Sequence, residues 1–216
     1  MLLYLIRHGK TDAHLEKRRQ SPDTPLGEYG KKQALLMAER LNLEKIDYLY
    51  SSNWPRAIQT AEFVAKHTNI KINIHPHLHE IEKNKVLDDV SEDSDINLRF
   101  QKERAENSND FDWKFDGEGE SVNEVINRSR KVIDFLFENH PNDSVAIVSH
   151  GRFIALLISL LVLGTNYDKA SLIKLYIAIT VNNTGISSLY IDPESHQCKI
   201  ICLNDHSHLI GEEKDA

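Results

Sequence analysis

One feature of this sequence constrains its fold more than any other, an unbroken apolar run near the N-terminus that stops at residues of a different kind. Residues 2–6 read Leu-Leu-Tyr-Leu-Ile and are followed by Arg7, His8 and Gly9. Such a run predicts a strand buried on both faces, as in a parallel sheet. Glycine lets the backbone turn sharply and approach a ligand. Because open α/β folds bind ligands at the carboxyl ends of their strands, we expect Arg7 and His8 to lie in a functional site.

Composition narrows the class of protein. The chain has 216 residues, of which 40% are hydrophobic and 27% charged, and these fractions are typical of a globular protein. A net charge of −7 argues against a nucleic-acid partner, since no basic excess is available to neutralise phosphates. The longest apolar stretch, residues 153–163, is about half of the ~20 residues that cross a membrane. The first residues lack a secretory leader, so we expect a cytoplasmic protein with no membrane partner.

Apolar runs and helical periodicities alternate along the chain. The predicted strands lie at residues 2–6, 46–50, 70–74, 144–148, 185–191 and 199–203. The predicted helices lie at residues 28–41, around Arg56, near 98–104, at 121–138 and at 152–163. This order predicts a three-layer α/β/α sandwich with a mostly parallel central sheet and a late hairpin at one edge. That edge could also pair with a second copy of the chain in a homodimer.

We interpret residues 1–216 as a single domain with two polar segments. Residues 82–118 are acidic and hold too few apolar side chains for a core of their own, so we expect them to form an insertion that covers the site. The chain from residue 204 onward resembles a polar tail. The basic cluster at residues 17–19 is predicted to be a solvated helix face.

Two further strand ends carry residues suited to binding an anion. Ser149-His150-Gly151 follows the strand at 144–148, and the strand at 46–50 leads into the helix that bears Arg56. Backbone amides at the start of the helix at 152–163 would add partial positive charge. Arginine binds phosphate oxygens in bidentate fashion, which makes a phosphoryl group the expected ligand.

Histidine can be a covalent nucleophile near neutral pH. We expect neutral His8 to attack phosphorus in line with the leaving oxygen. Arg7, Arg56 and His150 would hold the non-bridging oxygens and stabilise the transition state.

A carboxylic acid is then needed to protonate the leaving alkoxide and to activate water. Glu80, in Leu78-His79-Glu80, is the favoured candidate, because the negative charge of bound phosphate favours its protonated form. Glu82 remains an alternative.

Three histidines, His75, His77 and His79, could face a metal if they lay on one strand. Pro76 disfavours a regular central strand, and no carboxylate or cysteine pattern accompanies the run. We therefore expect no metal and no cofactor, with a metal-dependent hydrolase as the alternative.

Six ordered segments carry a family resemblance. They are Leu5-Ile6-Arg7-His8-Gly9 with Thr11, Pro25-Leu26 with Gly30 and Gln33-Ala34, Ser51-Ser52 with Arg56-Ala57 and Gln59-Thr60-Ala61, Leu78-His79-Glu80, Gly119-Glu120-Ser121, and Ser149-His150-Gly151. In these the chain resembles the histidine phosphatase superfamily, the phosphoglycerate-mutase-like group. The resemblance implies a histidine-phosphatase-like fold, a phosphorylated His8, a pocket completed by Arg7, Arg56 and His150, Glu80 as proton donor, and no metal. Phosphate contacts are also expected from Thr11, His14 and Gly151.

The chain departs from the family pattern at several positions. His14 stands where the family often has a phosphate-binding asparagine, Gln20 where it usually has glycine, and Gly27 where it has threonine. The aromatic-glycine signature that often follows the glutamate is absent after Glu80. We therefore expect substrate recognition to differ from that of well-known members.

The leading functional hypothesis is a metal-independent phosphatase acting on a small phosphorylated metabolite. The closest rival is a phosphoglycerate mutase, which returns the phosphoryl group to its substrate. Mutases of the family carry a longer insertion with paired arginines that bind the substrate carboxylate, whereas residues 82–118 contain only the isolated Arg99 and Arg104. A catalytically inactive phosphate-binding module is the third hypothesis.

Overall fold

The computed structural model describes residues 1–41 and 44–211, and a six-stranded sheet of order β3-β2-β4-β1-β5-β6 forms its centre. The strands are β1 (Leu2–Arg7), β2 (Tyr48–Ser51), β3 (Ile72–Ile74), β4 (Ser144–Ser149), β5 (Ile186–Ile191) and β6 (Cys198–Asp205). The α-helices are α1 (Asp12–Leu15), α2 (Glu28–Leu41), α3 (Pro55–Thr68), α4 (Asp95–Glu106), α5 (Val122–Asn139), α6 (Gly151–Leu163) and α7 (Lys169–Ala178).

Strand direction matches the predicted mixed sheet. β1 pairs in parallel with β4, and β2 pairs in parallel with both β3 and β4. β5 and β6 are antiparallel and form the late hairpin at one edge. The apolar run of β1 is therefore in the sheet interior, where both of its faces are covered.

Alternate side chains of β1 enter two separate cores. Leu3 and Leu5 pack in one cluster with residues of α5 and α6, including Phe153. Tyr4 and Ile6 pack in the other cluster with residues of α2 and α3. Because successive side chains of a strand point to opposite faces, one apolar run serves both layers of helices. The predicted α/β/α sandwich is confirmed.

The segment at residues 82–118 differs from its prediction. Three buried side chains, Leu87, Phe100 and Phe115, pack together with Ile96 and Trp113 against them. The insertion thus has a small apolar cluster of its own. The expectation that it lacks one was wrong, because a few large aromatic side chains bury much area each.

The C-terminal part also differs from expectation. β6 continues to Asp205, a 3₁₀ turn follows at Ser207–Leu209, and Leu209 is buried. The prediction of a polar tail from residue 204 was therefore wrong for residues 204–209, and residues 212–216 lie outside the described part.

The sequence patterns did not predict α7, in which only Leu172 is buried. None of the helices formed by residues 1–41 and 44–211 has the length and apolar character to span a bilayer.

Candidate active site

The parallel pairing of β1 with β4 brings two histidines together. Arg7, the last residue of β1, is in register with Ser149, the last residue of β4. His8 and His150 come next in their segments, and their ring centroids are 5.0 Å apart. The predicted meeting of two strand ends at one sheet edge is thus observed.

Backbone contacts fix the orientation of His8. Its Nδ1 lies 2.7 Å from the carbonyl oxygen of Gly9, which can only accept, so Nδ1 carries the hydrogen. The other ring nitrogen, Nε2, then keeps its lone pair. Burial, followed by the charges of Arg56, His150 and Arg7, lowers the pKa of His8 well below 6.5. The imidazole is therefore neutral at physiological pH, as a nucleophile requires.

Gly9 and the neighbouring backbone are themselves held in place. The Gly9 N–H donates to Thr60 Oγ1 (3.1 Å), and the Thr60 hydroxyl donates to the Arg56 carbonyl (2.7 Å). The Asn183 side-chain amide donates to the His8 carbonyl (2.9 Å). These bonds connect His8 and Gly9 to α3 and to the segment before β5.

Two arginines are held beside His8 by backbone carbonyls rather than by carboxylates. Arg7 Nη1 donates to the Val181 carbonyl (2.8 Å), and Arg56 Nη1 donates to the Ser21 carbonyl (2.9 Å). The Arg56 guanidinium also lies 4.5 Å from the centre of the Trp54 ring. Burial lowers the pKa of Arg56 to about 10, which leaves the side chain charged at neutral pH.

Three buried nitrogens around the site have no hydrogen-bond partner in the described part of the chain: Arg7 Nε, Arg56 Nε and His150 Nδ1. Ser52 Oγ accepts from the Trp54 amide (3.2 Å) and lies 2.9 Å from His150 Nε2. The Ser52 hydroxyl can donate to Nε2, which leaves the His150 hydrogen on Nδ1. Buried donors are rarely unpaired in proteins, and three at one place suit a bound anion.

Glu80 is fixed by the start of α6. Its carboxyl oxygens accept from the backbone N–H groups of Ile81 (2.9 Å), Phe153 (3.0 Å) and Arg152 (3.2 Å). The amides of Arg152 and Phe153, which we expected to add partial positive charge to an anion site, thus donate to Glu80. The contacts nevertheless hold the proposed acid in the same cavity as His8.

The cavity that contains these groups has a volume of about 610 Å³ and mixes cationic with acidic side chains. The lining residues relevant here are Arg7, His8, His14, Arg18, Arg19, Trp54, Arg56, Glu80, Glu82, Lys83, Arg104 and Arg152. This volume accommodates a small metabolite rather than a polymer.

The remaining phosphate-binding candidates, His14, Thr11 and Gly151, differ in their positions relative to the cavity. His14 lines the cavity with its Nε2 3.3 Å from Arg7 Nη2, and burial lowers its pKa to about 4. Thr11 is buried with its hydroxyl 3.1 Å from His14 Nδ1, and does not itself line the cavity. Gly151 lies against Arg7, since a Cβ added there would be 3.2 Å from Arg7 Nε.

Several cavity residues were missed by sequence reasoning. Arg18 and Arg19 line the cavity, and α1 ends at Leu15, so the prediction of a solvated helix face at residues 17–19 was wrong. The cause is tertiary, because the Arg19 N–H donates to the Val90 carbonyl (2.9 Å) and draws this loop onto the insertion. Lys83 and Arg104 also line the cavity, so Arg104 is not isolated. The sequence offered one indication of Lys83 and Arg104 as cavity residues, because both are basic residues within an acidic segment.

The histidine run at residues 75–79 does not form an extended strand. A 3₁₀ turn spans Pro76–Leu78, and the rings of His75 and His77 have centroids 5.6 Å apart. Within residues 1–41 and 44–211, no group of three or more His, Cys, Asp or Glu side chains is arranged to hold a metal ion.

Comparison with known proteins extends these observations. The family model of the histidine phosphatase superfamily (branch 1) matches residues 3–205. A probable phosphoglycerate mutase GpmB of Yersinia pestis is 31% identical over 160 residues, 74% of either chain. Phosphoglycerate mutase-like protein 4 of Arabidopsis thaliana is 29% identical over 155 residues, which are 70% of this chain and 67% of the relative.

Solved structures give the same picture of the fold. A mycobacterial glucosyl-3-phosphoglycerate phosphatase in complex with VO3 superposes with a TM-score of 0.79 and 26% identity, covering 94% of this chain and 98% of that one. An alpha-ribazole-5'-P phosphatase from Escherichia coli has a TM-score of 0.79 at 24% identity, covering 95% and 98%, and supports the fold alone.

Proposed function

The chain belongs to the histidine phosphatase superfamily (branch 1), and we propose that it is a metal-independent phosphatase that hydrolyses a small phosphomonoester through a phosphohistidine on His8. One observation carries the proposal. His8 has a neutral imidazole with its Nδ1 hydrogen bound to Gly9, so that Nε2 is the nucleophilic atom.

The first step transfers the phosphoryl group to His8. Nε2 attacks phosphorus, the ester P–O bond breaks, and Glu80 gives its proton to the leaving oxygen. Arg7 and Arg56 bear charges that can bind the non-bridging oxygens, and His150 Nδ1 can donate a further hydrogen bond. Because these groups are already held by protein contacts, little reorganisation is needed in the transition state.

The second step releases phosphate. Water attacks the phosphohistidine, Glu80 takes a proton from that water, and the P–N bond breaks to restore neutral His8. A single carboxyl group can serve in both steps, because the water takes the position that the leaving alcohol occupied.

A phosphoglycerate mutase is the second candidate. The sequence favours a phosphatase because Arg99 and Arg104 stand isolated in the insertion, whereas in the structure Arg104 lines the cavity together with Arg19, Lys83 and Arg152. These cations favour a substrate with more than one anionic group. Phosphoglycerates are such substrates, because they carry a phosphoryl group and a carboxylate. Arg99 instead contacts Asp116 and Glu103.

Measurements of turnover distinguish the phosphatase from the mutase, the metal-dependent hydrolase and the inactive module. We expect inorganic phosphate release from a panel of phosphomonoesters, unaffected by chelator and lost in His8→Asn. Supplying 3-phosphoglycerate with its bisphosphate primer tests the rival, since formation of 2-phosphoglycerate faster than phosphate release would show a mutase. Activity that survives His8→Asn but is lost in chelator would show a metal-dependent hydrolase. Phosphate binding without any turnover would show an inactive module.

A further inference from the structure

Arg128, on α5, is a buried cation that has no part in the proposed phosphoryl transfer. Its side chain is 7% exposed, and it does not line the catalytic cavity. A guanidinium presents five N–H donors in a planar fork and stays charged inside a protein. Because burying an unpaired charge is strongly unfavourable, the partners of these donors show what the side chain holds in place.

The Arg128 guanidinium binds the backbone of the segment that carries Glu80. Nη1 donates to the carbonyl oxygens of His77 (2.7 Å) and His79 (2.9 Å). Nη2 donates to the carbonyl oxygen of Glu80 itself (3.4 Å). Residues 79–84 form neither helix nor strand, so regular secondary structure does not fix the backbone there. One side chain of α5 therefore supplies hydrogen bonds that a helix or a sheet would otherwise provide.

Glu120 fixes the orientation of this guanidinium. Its two carboxyl oxygens accept from Arg128 Nε (2.8 Å) and Nη2 (2.7 Å), and the Glu120 side chain is 15% exposed. A bidentate pair of this kind holds the guanidinium plane, so that Nη1 is left to bind the carbonyl groups. With these contacts all five N–H donors of Arg128 have an acceptor.

The backbone around Glu120 is bonded to the same segment. The Glu120 N–H donates to the Glu82 carbonyl (2.8 Å), and the Glu82 N–H donates to Glu120 Oε2 (3.0 Å). Gly119 permits this close approach, because its φ is +83° and a Cβ there would lie 2.8 Å from the Glu82 carbonyl oxygen. The Gly119-Glu120-Ser121 motif, which the proposed reaction steps leave without a role, thus supports the backbone that follows Glu80.

Arg128 also lies against the residue that binds the Glu80 carboxyl group. Its guanidinium is 4.7 Å from the centre of the Phe153 ring, and the Phe153 N–H donates to Glu80 Oε1 (3.0 Å). A guanidinium over an aromatic face is attracted to it. Arg128 therefore contacts both supports of the proposed acid, namely its own backbone and the start of α6.

We propose that Arg128 is a positioning residue for the Glu80 carboxyl group and that Glu120 holds Arg128 in the orientation that this requires. The inference rests on the proposed function, because it takes Glu80 as the acid of the phosphoryl transfer. Loss of the guanidinium would leave three carbonyl groups without their shared donor and let the carboxyl group move away from the leaving oxygen. Binding of the phosphoryl group should persist, since Arg7 and Arg56 are held by other carbonyls.

Arg128→Lys tests the proposal with the positive charge retained. An ammonium cannot form the bidentate pair and the carbonyl contacts together, so the acid should be misplaced. We expect kcat/KM for alkyl phosphates to fall about ten- to a hundredfold, with a much smaller loss for 4-nitrophenyl phosphate, whose leaving group needs no proton. Equal losses on the two substrates, or no loss on either, would overturn the proposal.

A double variant separates positioning from support of the fold. Arg128→Met combined with Glu120→Met removes both members of the buried pair, and apolar replacements of this kind often leave a protein as stable as before. We expect thermal unfolding near that of the parent chain, while the selective loss on alkyl phosphates remains. A variant that unfolds like the parent chain and also regains the parent kcat/KM on alkyl phosphates would show that the pair only supports the fold.

Arg130→Lys is the matched control, because Arg130 is exposed on the same helix and donates to the Tyr167 hydroxyl (2.9 Å). We expect the parent kcat/KM on both substrates. A selective loss on alkyl phosphates as large as that of Arg128→Lys would contradict the assignment to Arg128.

Amide hydrogen exchange separates this inference from the proposed function. The N–H groups of Arg152 and Phe153 are in the first turn of α6, where helical acceptors are absent, and both donate to Glu80. Their exchange rates therefore report the position of the carboxyl group without any turnover. We expect both amides to exchange about tenfold faster in Arg128→Lys, while Leu157, further along α6, exchanges as in the parent chain.

The same exchange measurement is made on Arg130→Lys, for which we expect no change. If no phosphomonoester is hydrolysed but the Arg152 and Phe153 amides exchange faster in Arg128→Lys, the positioning role is supported and the hydrolase is rejected. Unchanged exchange at both amides would reject the positioning role, whatever the activity.

Discussion

The carboxyl group of Glu80 accepts a hydrogen bond of 3.0 Å from the backbone N–H of Phe153, in the first turn of α6. The two residues are far apart in sequence, and their contact joins the proposed acid to the helix that follows His150. The start of α6 therefore adjoins both Glu80 and His150, and a change at Glu80 is expected to alter the proposed chemical step.

Glu80→Gln removes the proposed proton donor with little change of shape. We expect kcat/KM, which reports the phosphoryl-transfer step alone, to fall by about 10²- to 10⁴-fold for alkyl phosphates, the usual contribution of a general acid. The loss should be much smaller for 4-nitrophenyl phosphate, whose leaving group needs no proton. Steady-state kinetics on the two substrate classes measure the difference.

Glu82→Gln is the control, because Glu82 lines the same cavity but is exposed, with its carboxylate 3.8 Å from His79. If Glu82→Gln shows the leaving-group dependence and Glu80→Gln does not, the assignment of the acid must be reversed.

Gly151→Ala tests the close contact with Arg7. The added Cβ would lie 3.2 Å from Arg7 Nε, and the guanidinium cannot easily retreat because Nη1 is bonded to the Val181 carbonyl. We expect a displacement of a few tenths of an ångström and a rise in KM of about tenfold. Thermal unfolding should show only a small loss of stability, since Gly151 is the first residue of α6 and the preference for alanine there offsets part of the cost of the tight contact with Arg7. Unchanged KM values would show that Arg7 does not contact the substrate.

Buried histidines should make the protein less stable in acid. Burial lowers the pKa of His8 and of His150 well below 6.5, so the unfolded chain binds protons that the folded chain does not. This contribution to stability is present above pH 6.5 and is lost as pH falls below it. Each such histidine contributes a slope of up to about 1.4 kcal/mol per pH unit.

Urea unfolding from about pH 7.5 down to pH 5 measures this slope. The free energy of unfolding should decrease as the pH falls, because the unfolded chain binds more protons than the folded chain. We expect His8→Asn to give a shallower slope than the parent chain. His196→Asn is the control, because His196 is exposed on the turn between β5 and β6. Identical slopes for His8→Asn and the parent chain would contradict the buried, neutral state of His8.

The sequence predicted those parts of the fold that depend on continuous local patterns. The runs at residues 2–6 and 144–148 identified the two central strands because both faces of each are buried. Helix α5 was predicted at nearly its observed length because its apolar residues follow one stripe. Helix α7 has no such stripe, with one buried residue in ten, and was missed.

The site was predictable only where it lies at strand ends. His8 and His150 are the residues immediately after β1 and β4. They lie close together because these two strands pair in parallel. The contact of Glu80 with α6 and the position of Arg19 in the cavity depend on tertiary packing between distant segments. No local pattern encodes such packing, so those contacts became known only from the structure.

Trapping the covalent intermediate tests the central claim most directly. The protein is mixed with a ³²P-labelled phosphomonoester and quenched in alkali during turnover, and the labelled residue is identified by peptide mapping. We expect label that is stable in alkali and released by acid, on the peptide containing His8, and no label in His8→Asn. Label on another residue, or turnover by His8→Asn at the parent rate, would contradict the account.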